Sequence, residues 1–197
     1  MRVKNSLKHL FISQTRLKLI NVFFGSPKEI FYVRQLVRLS EEEINSVRRE
    51  LENLKLAGIV LSEWRGNRLF YWANNSSPLY LDLLVIAAKN SGLGQNLSER
   101  TSKSGSIKLL LFGYKFISGE AKKPDDIDLI VVGDIPIREM EEHIKTEESE
   151  RHQEINYMVM SKTEFQMRKQ KRDPFLIDFF LSCPVVIIGS PQDIINI

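Results

Sequence analysis

LLLFGYKFISGEAKKPDDIDLIVVGD, residues 109–134, decides how this chain is read. It opens on a run with the look of a buried strand, 107–112, that ends at Gly113. A polar loop containing Gly119 and Pro124 follows, and then two aspartates, Asp126 and Asp128, at the start of a second apolar strand. Side chains alternate faces along a strand, so the spacing predicts that Asp126 and Asp128 point the same way while Ile127 and Leu129 point into the core. Two negative charges about 4 Å apart repel by roughly 4 kcal/mol at an effective dielectric near 20. The pair therefore needs a proton or a shared cation. Mg²⁺ suits it, being a hard ion that takes oxygen ligands and bridges carboxylates to phosphates. Gly113 would let backbone amides approach an anion closely.

Gly113, Gly119-Glu120-Ala121 and Asp126-Ile127-Asp128-Leu129 together resemble the signature of the minimal nucleotidyltransferases. That resemblance implies a mixed sheet flanked by helices and a third carboxylate on a neighbouring strand. Glu154, heading the run Glu154-Ile155-Asn156-Tyr157-Met158-Val159-Met160, takes that place. By the same resemblance Asp126, Asp128 and Glu154 would be both catalytic and metal-holding, with two Mg²⁺ ions activating a hydroxyl as pyrophosphate leaves a nucleoside triphosphate. Gly113, Tyr114 and Ser118 would meet the nucleotide. The family's serine after the first glycine is Tyr114 here, and the spacing from Gly113 to Gly119 is one residue longer than usual.

The chain has 197 residues, 43% hydrophobic and 27% charged, which suits one large domain or two small ones and does not suggest disorder. A single cysteine, Cys183, excludes an internal disulfide and a thiolate zinc cluster and fits a reducing compartment. His9, His143 and His152 lack metal-ligand spacing. No run reaches the 18 or so apolar residues of a membrane span, and the basic N-terminus has no signal-peptide core, so the expected location is the cytoplasm.

The net charge of +3 is uneven: residues 1–73 carry 13 Lys and Arg against 7 Asp and Glu, and the remainder 15 against 18. A basic front and an acidic back suggest that the front meets a polyanion. Its pattern agrees. A helix over 13–24, capped by Ser13, leads to a short strand at Phe31-Tyr32 and a helix over 33–39. A third helix over about 42–57 has Ile44, Val47, Leu51 and Leu54 on one stripe and Gly58 at its end. Two readings of its start stay open: a capping box of Ser40 with Glu43, or a turn at Glu41-Glu42. Two runs joined at Arg65-Gly66-Asn67 then form a β-hairpin, giving a helix-turn-helix with a wing.

Tyr32-Val33-Arg34-Gln35-Leu36, Val47-Arg48-Arg49-Glu50-Leu51 and Gly66-Asn67-Arg68-Leu69-Phe70-Tyr71 resemble the winged helix-turn-helix regulators of the ArsR-like kind. Some of these carry a minimal nucleotidyltransferase behind the wing. The expectation is thus a two-domain chain, α/β and α+β: a DNA-binding domain over 1–75, a connecting helix and linker over 76–106, and a nucleotidyltransferase-like domain over 107–197. Asn45, Ser46, Arg48 and Arg49 on the third helix, with Arg65, Asn67 and Arg68 on the wing, are the expected contacts to double-stranded DNA. Glu41-Glu42-Glu43 counts against phosphate contact at the helix start.

The connecting helix offers Leu81, Leu84, Val85 and Ala88 for packing, and a homodimer would use such a helix. The leading functional expectation is a transcription regulator whose second domain binds Mg-nucleotide. Two alternatives stand beside it: a nucleotidyltransferase of a toxin-antitoxin pair acting on a small helical partner protein, and a catalytically degenerate interaction module.

Overall fold

The computed structural model describes residues 6–100 and 106–195, so the part of the expected linker at 101–105 lies outside the described residues. Two compact units, Met1–Ser91 and Gly92–Ile197, each mix helices with one sheet.

The first unit runs α1 (Ser6–Leu10), α2 (Gln14–Gly25), β1 (Phe31–Tyr32), α3 (Val33–Ser40), α4 (Ile44–Leu56), β2 (Val60–Arg65), β3 (Arg68–Ala73) and α5 (Tyr80–Asn90). Ser13 caps α2, its side chain accepting the Arg16 N–H at 3.2 Å, which satisfies one of the donors a helix start leaves open. Between α3 and α4 the chain takes the turn. Glu41 adopts a left-handed conformation with φ of 53°, Glu43 is the N-cap of α4 without a side-chain cap bond, and the Ser40 hydroxyl donates back to the Val37 carbonyl, so the box of Ser40 with Glu43 does not form. Val47, Leu51 and Leu54 of α4 are buried with Leu17, Ile20 and Phe23 of α2 in the unit's core. The antiparallel sheet has the order β1-β3-β2, with Tyr32 opposite Phe70 and Leu61 opposite Trp72.

Helix α5 packs on α2. Leu83, Leu84 and Ala87 are buried, while Leu81 is 48% exposed. Residues three and four apart share a helix face, so Leu83, Leu84 and Ala87 form one buried stripe and Leu81 stays at the surface.

The second unit runs α6 (Gly92–Arg100), β4 (Ser106–Phe112), α7 (Tyr114–Ser118), β5 (Leu129–Asp134), α8 (Ile137–Arg151), β6 (Tyr157–Met160), α9 (Lys162–Gln170), α10 (Pro174–Leu181), β7 (Val185–Ile188) and α11 (Gln192–Ile195). Residues 92–100, expected in the linker, are therefore helical. The sheet order is β6-β5-β4-β7; β5 and β6 run parallel and the other pairs antiparallel. One face, carrying Leu109, Leu111, Ile130, Val132 and Met160, packs with Phe165, Leu176 and Phe179. Leu110, Phe112, Leu129 and Val131 are buried as well, so both faces are covered and the central strands read as unbroken apolar runs.

Both strands that should carry acids begin later than their sequences suggest: β5 at Leu129, after Asp126 and Asp128, and β6 at Tyr157, after Glu154. Side-chain hydrogen bonds compete with the ladder at this end of the sheet. The Asp126 N–H turns back to the Lys123 carbonyl at 3.1 Å, and the Asp126 carboxylate accepts the Lys123 N–H at 2.9 Å. A closed aspartate turn thus replaces the first rung. Only Asp128 keeps a ladder-like bond, its N–H reaching the Asn156 carbonyl at 2.8 Å.

Candidate functional site

The aspartate turn, the end of β4 and α10 enclose a cleft of about 230 Å³. Its acids are Asp125, Asp126, Asp128 and Asp178, its bases Lys115 and Lys122, and Phe175 and Phe179 supply an apolar wall. Gly113 lies at the edge because the backbone crowds there: a Cβ would sit 3.3 Å from the Ile127 carbonyl oxygen and 3.4 Å from that of Asp128. Its N–H donates to the Asp128 carbonyl at 2.7 Å. That amide is already used, and the glycine serves strand approach.

Asp126 and Asp128 both face this cleft, as their spacing suggests, yet each has its own lysine. Lys115 Nζ lies 2.8 Å from the Asp126 carboxylate, which with the Lys123 N–H holds that carboxyl below its ordinary range. Lys115 and Asp126 are substantially exposed, so the pair adds little to stability. Asp128 is buried, with its side chain 3% exposed and that of Lys122 13% exposed. Its carboxylate accepts from the Lys122 ammonium and from the Asn156 N–H at 2.8 Å, and the same ammonium donates to the Glu154 carbonyl at 2.7 Å. The Asn156 amide closes the turn through the carbonyls of Pro124 and Asp126.

Glu154 enters this network through its backbone alone. Its side chain is exposed and does not line the cleft. Tyr114 and Ser118 also stay out of the lining: Ser118 is buried within α7, and burial followed by the charge of Glu120 raises the Tyr114 phenol above its ordinary value. Among the described residues, no three His, Cys, Asp or Glu side chains come together as a metal-holding group. Of the three acids expected to hold Mg²⁺, Asp126 and Asp128 line the cleft and Glu154 does not. In this arrangement Lys115 pairs with Asp126 and Lys122 with Asp128.

Four residues of the cleft and its turn, Lys115, Lys122, Asn156 and Asp178, lie outside the acidic motif. Lys122 stood in view as part of the pair ahead of the aspartates, and Asn156 as a neighbour of Glu154. Lys115 and Asp178 carry no local signal; the α7 turn and the packing of α10 bring them in.

In the first unit, Asn45, Arg48 and Arg49 are exposed on α4, and Ser46 is half-buried. Arg49 lies 4.0 Å from Glu50, whose carboxylate is taken up by Arg16 at 2.8 Å. Arg65, Asn67 and Arg68 are exposed on the hairpin. Glu42 turns away from the α4 start and into α2, accepting from Thr15 Oγ1 at 2.9 Å and pairing with Lys18 at 2.7 Å. The hydrogen bond from Lys18, then that from Thr15, lowers its pKa. One of the three acids expected to repel phosphate is thereby neutralised internally. Among the described residues, no helix is long and apolar enough to cross a membrane. No protein-family model, no curated protein and no solved structure matches the chain.

Proposed function

We propose that this chain is a DNA-binding transcription regulator whose second unit, nucleotidyltransferase-like in fold, serves as an interaction module in place of a metal-dependent catalyst. The observation that carries the DNA reading is the first unit's order of elements. Two helices, α3 and α4, meet at a left-handed turn and are followed by a hairpin, within a β1-β3-β2 sheet. Arg48 and Arg49 on α4 and Arg65 and Arg68 on the hairpin are exposed where this arrangement meets a groove and the backbone. Two-fold pairing through α5 and its N-cap, where Leu81 and Leu79 are exposed, would present two such units to a palindromic site.

A mobility-shift titration with mixed-sequence duplex at two salt concentrations tests this. Binding should weaken steeply with salt, and Arg48→Ala and Arg68→Ala should each weaken it further and reduce the salt slope by about one. Affinity indifferent to salt and to both substitutions refutes the reading.

The non-catalytic assignment of the second unit rests on Lys115 and Lys122 filling the cation's place. One observation favours the second reading, nucleotidyl transfer to a partner protein or small hydroxyl compound: Asp126 and Asp128 share a cleft with Gly113. Pyrophosphate release from Mg-nucleoside triphosphate, abolished by Asp126→Ala plus Asp128→Ala, would establish that second reading and displace the first.

A further inference from the structure

We propose that the outer face of the β1-β3-β2 sheet stacks unpaired nucleobases, so that the hairpin also binds single-stranded nucleic acid. The proposal goes beyond duplex recognition by α4 and does not depend on it. Alternation along β3 sends Tyr71 and Ala73 into the core, both nearly fully buried, and Phe70 and Trp72 outward. Cross-strand pairing adds Tyr32 and Glu63 beside Phe70, Leu61 beside Trp72, and Arg65 beside Arg68. Three aromatic rings and two guanidinium groups therefore share one face.

The rings are partly exposed and already hold planar cations. The Arg65 guanidinium lies 5.6 Å from the Phe70 centroid and 6.0 Å from that of Trp72, and Arg68 lies 5.3 Å from that of Tyr32. Tyr32 and Phe70 meet edge to face at 6.2 Å, which leaves their ring planes inclined to one another. Glu63 offsets one charge by pairing with Arg65 at 2.9 Å, and Arg68 supplies the surplus. A partner complementary to this face is a polyanion with exposed π surfaces. Single-stranded nucleic acid has both, whereas a duplex hides its base faces. The spacing agrees: residues two apart on an antiparallel strand, such as Phe70 and Trp72, lie about 6.8 Å apart, roughly two 3.4 Å steps of a nucleic-acid strand.

The chain's two tryptophans, Trp64 and Trp72, both lie on this hairpin, so Trp64→Phe leaves Trp72 as the sole tryptophan reporter. In that background, oligodeoxyuridylate and oligouridylate of about ten nucleotides, which differ only in the sugar, should quench Trp72 saturably at low salt, the stronger of the two showing which sugar is preferred. An abasic strand of equal charge should not. Phe70→Leu and Tyr32→Leu should each weaken the base-bearing strand about tenfold while leaving duplex retardation in place. Circular dichroism identifies a variant that fails to fold, and the abasic comparison needs neither variant. Quenching absent with both base-bearing strands, or equal with the abasic strand, overturns the proposal. Duplex binding without single-strand quenching removes this inference alone; quenching without duplex binding removes the α4 reading alone.

Discussion

Asp128 is nearly sealed from solvent with Lys122 as its counter-ion, whereas Asp126, two positions earlier, shares an open ion pair with Lys115. Removing a buried partner leaves an uncompensated charge, so Asp128→Ala should cost about 3 kcal/mol in urea unfolding. Asp126→Ala should cost about 0.5 kcal/mol or less. If the carboxylates instead repelled each other without counter-ions, either substitution would stabilise the fold, so the sign of the change separates the two pictures. Acid stability follows from the same kind of contact. Glu42, Glu50 and Asp126 all have folded pKa values below their ordinary ones; at Glu50 burial opposes ionisation, but hydrogen bonds led by that from Arg16 outweigh it. A group depressed in the folded state contributes stability above its unfolded pKa, near 4, and loses it as pH falls through the folded value. The melting temperature should therefore hold from neutrality to about pH 5 and fall steeply below pH 4. Glu50→Gln should flatten that fall. The acidic pair itself was legible from residue spacing, but its lysines were not, because a counter-ion is chosen by proximity in space.

Among the elements, those with a strong local signal agree closely with their sequences. Ser13 caps α2 as its position suggests, and Ser13→Ala should destabilise the first unit by about 1 kcal/mol, read by chemical denaturation. Helix α4, the hairpin and the strands 106–112 and 185–188 carry apolar periods and turn residues that nothing in the tertiary structure overrides. Disagreement gathers where polar side chains compete with the backbone. The strand expected from Asp126 starts at Leu129, the strand expected from Glu154 starts at Tyr157, and the polar loop after Gly113 contains α7. The local aspartate turn of Lys123 with Asp126 acts there together with hydrogen bonds between residues distant in sequence, such as Asn156 with Pro124 and Arg151 with the Phe116 carbonyl.

At the scale of the whole molecule, the two units have separate cores, one around Leu17, Phe23, Leu51 and Val60 and the other around Leu111, Ile130, Phe165 and Phe179. Residues 1–91 expressed alone should fold cooperatively, and calorimetry of the full chain should show a transition that this fragment reproduces. A fragment that stays unfolded would show that the first core needs the second unit. The amino-acid sequence by itself determined the elements with strong apolar periods, among them α2, α4, the hairpin and β4, where the basic and acidic halves divide, and that Asp126 and Asp128 share a cleft. These depend on periods of a few residues and on local composition, which short-range sterics and burial translate directly into structure. Only the tertiary structure decided that Lys115 and Lys122 neutralise the aspartates, that the Glu154 side chain stays outside the cleft, and that Tyr32, Phe70 and Trp72 share a face with two arginines. Each of those arrangements is made between strands or across a turn, where the partner is set by packing and hydrogen-bond closure over tens of residues.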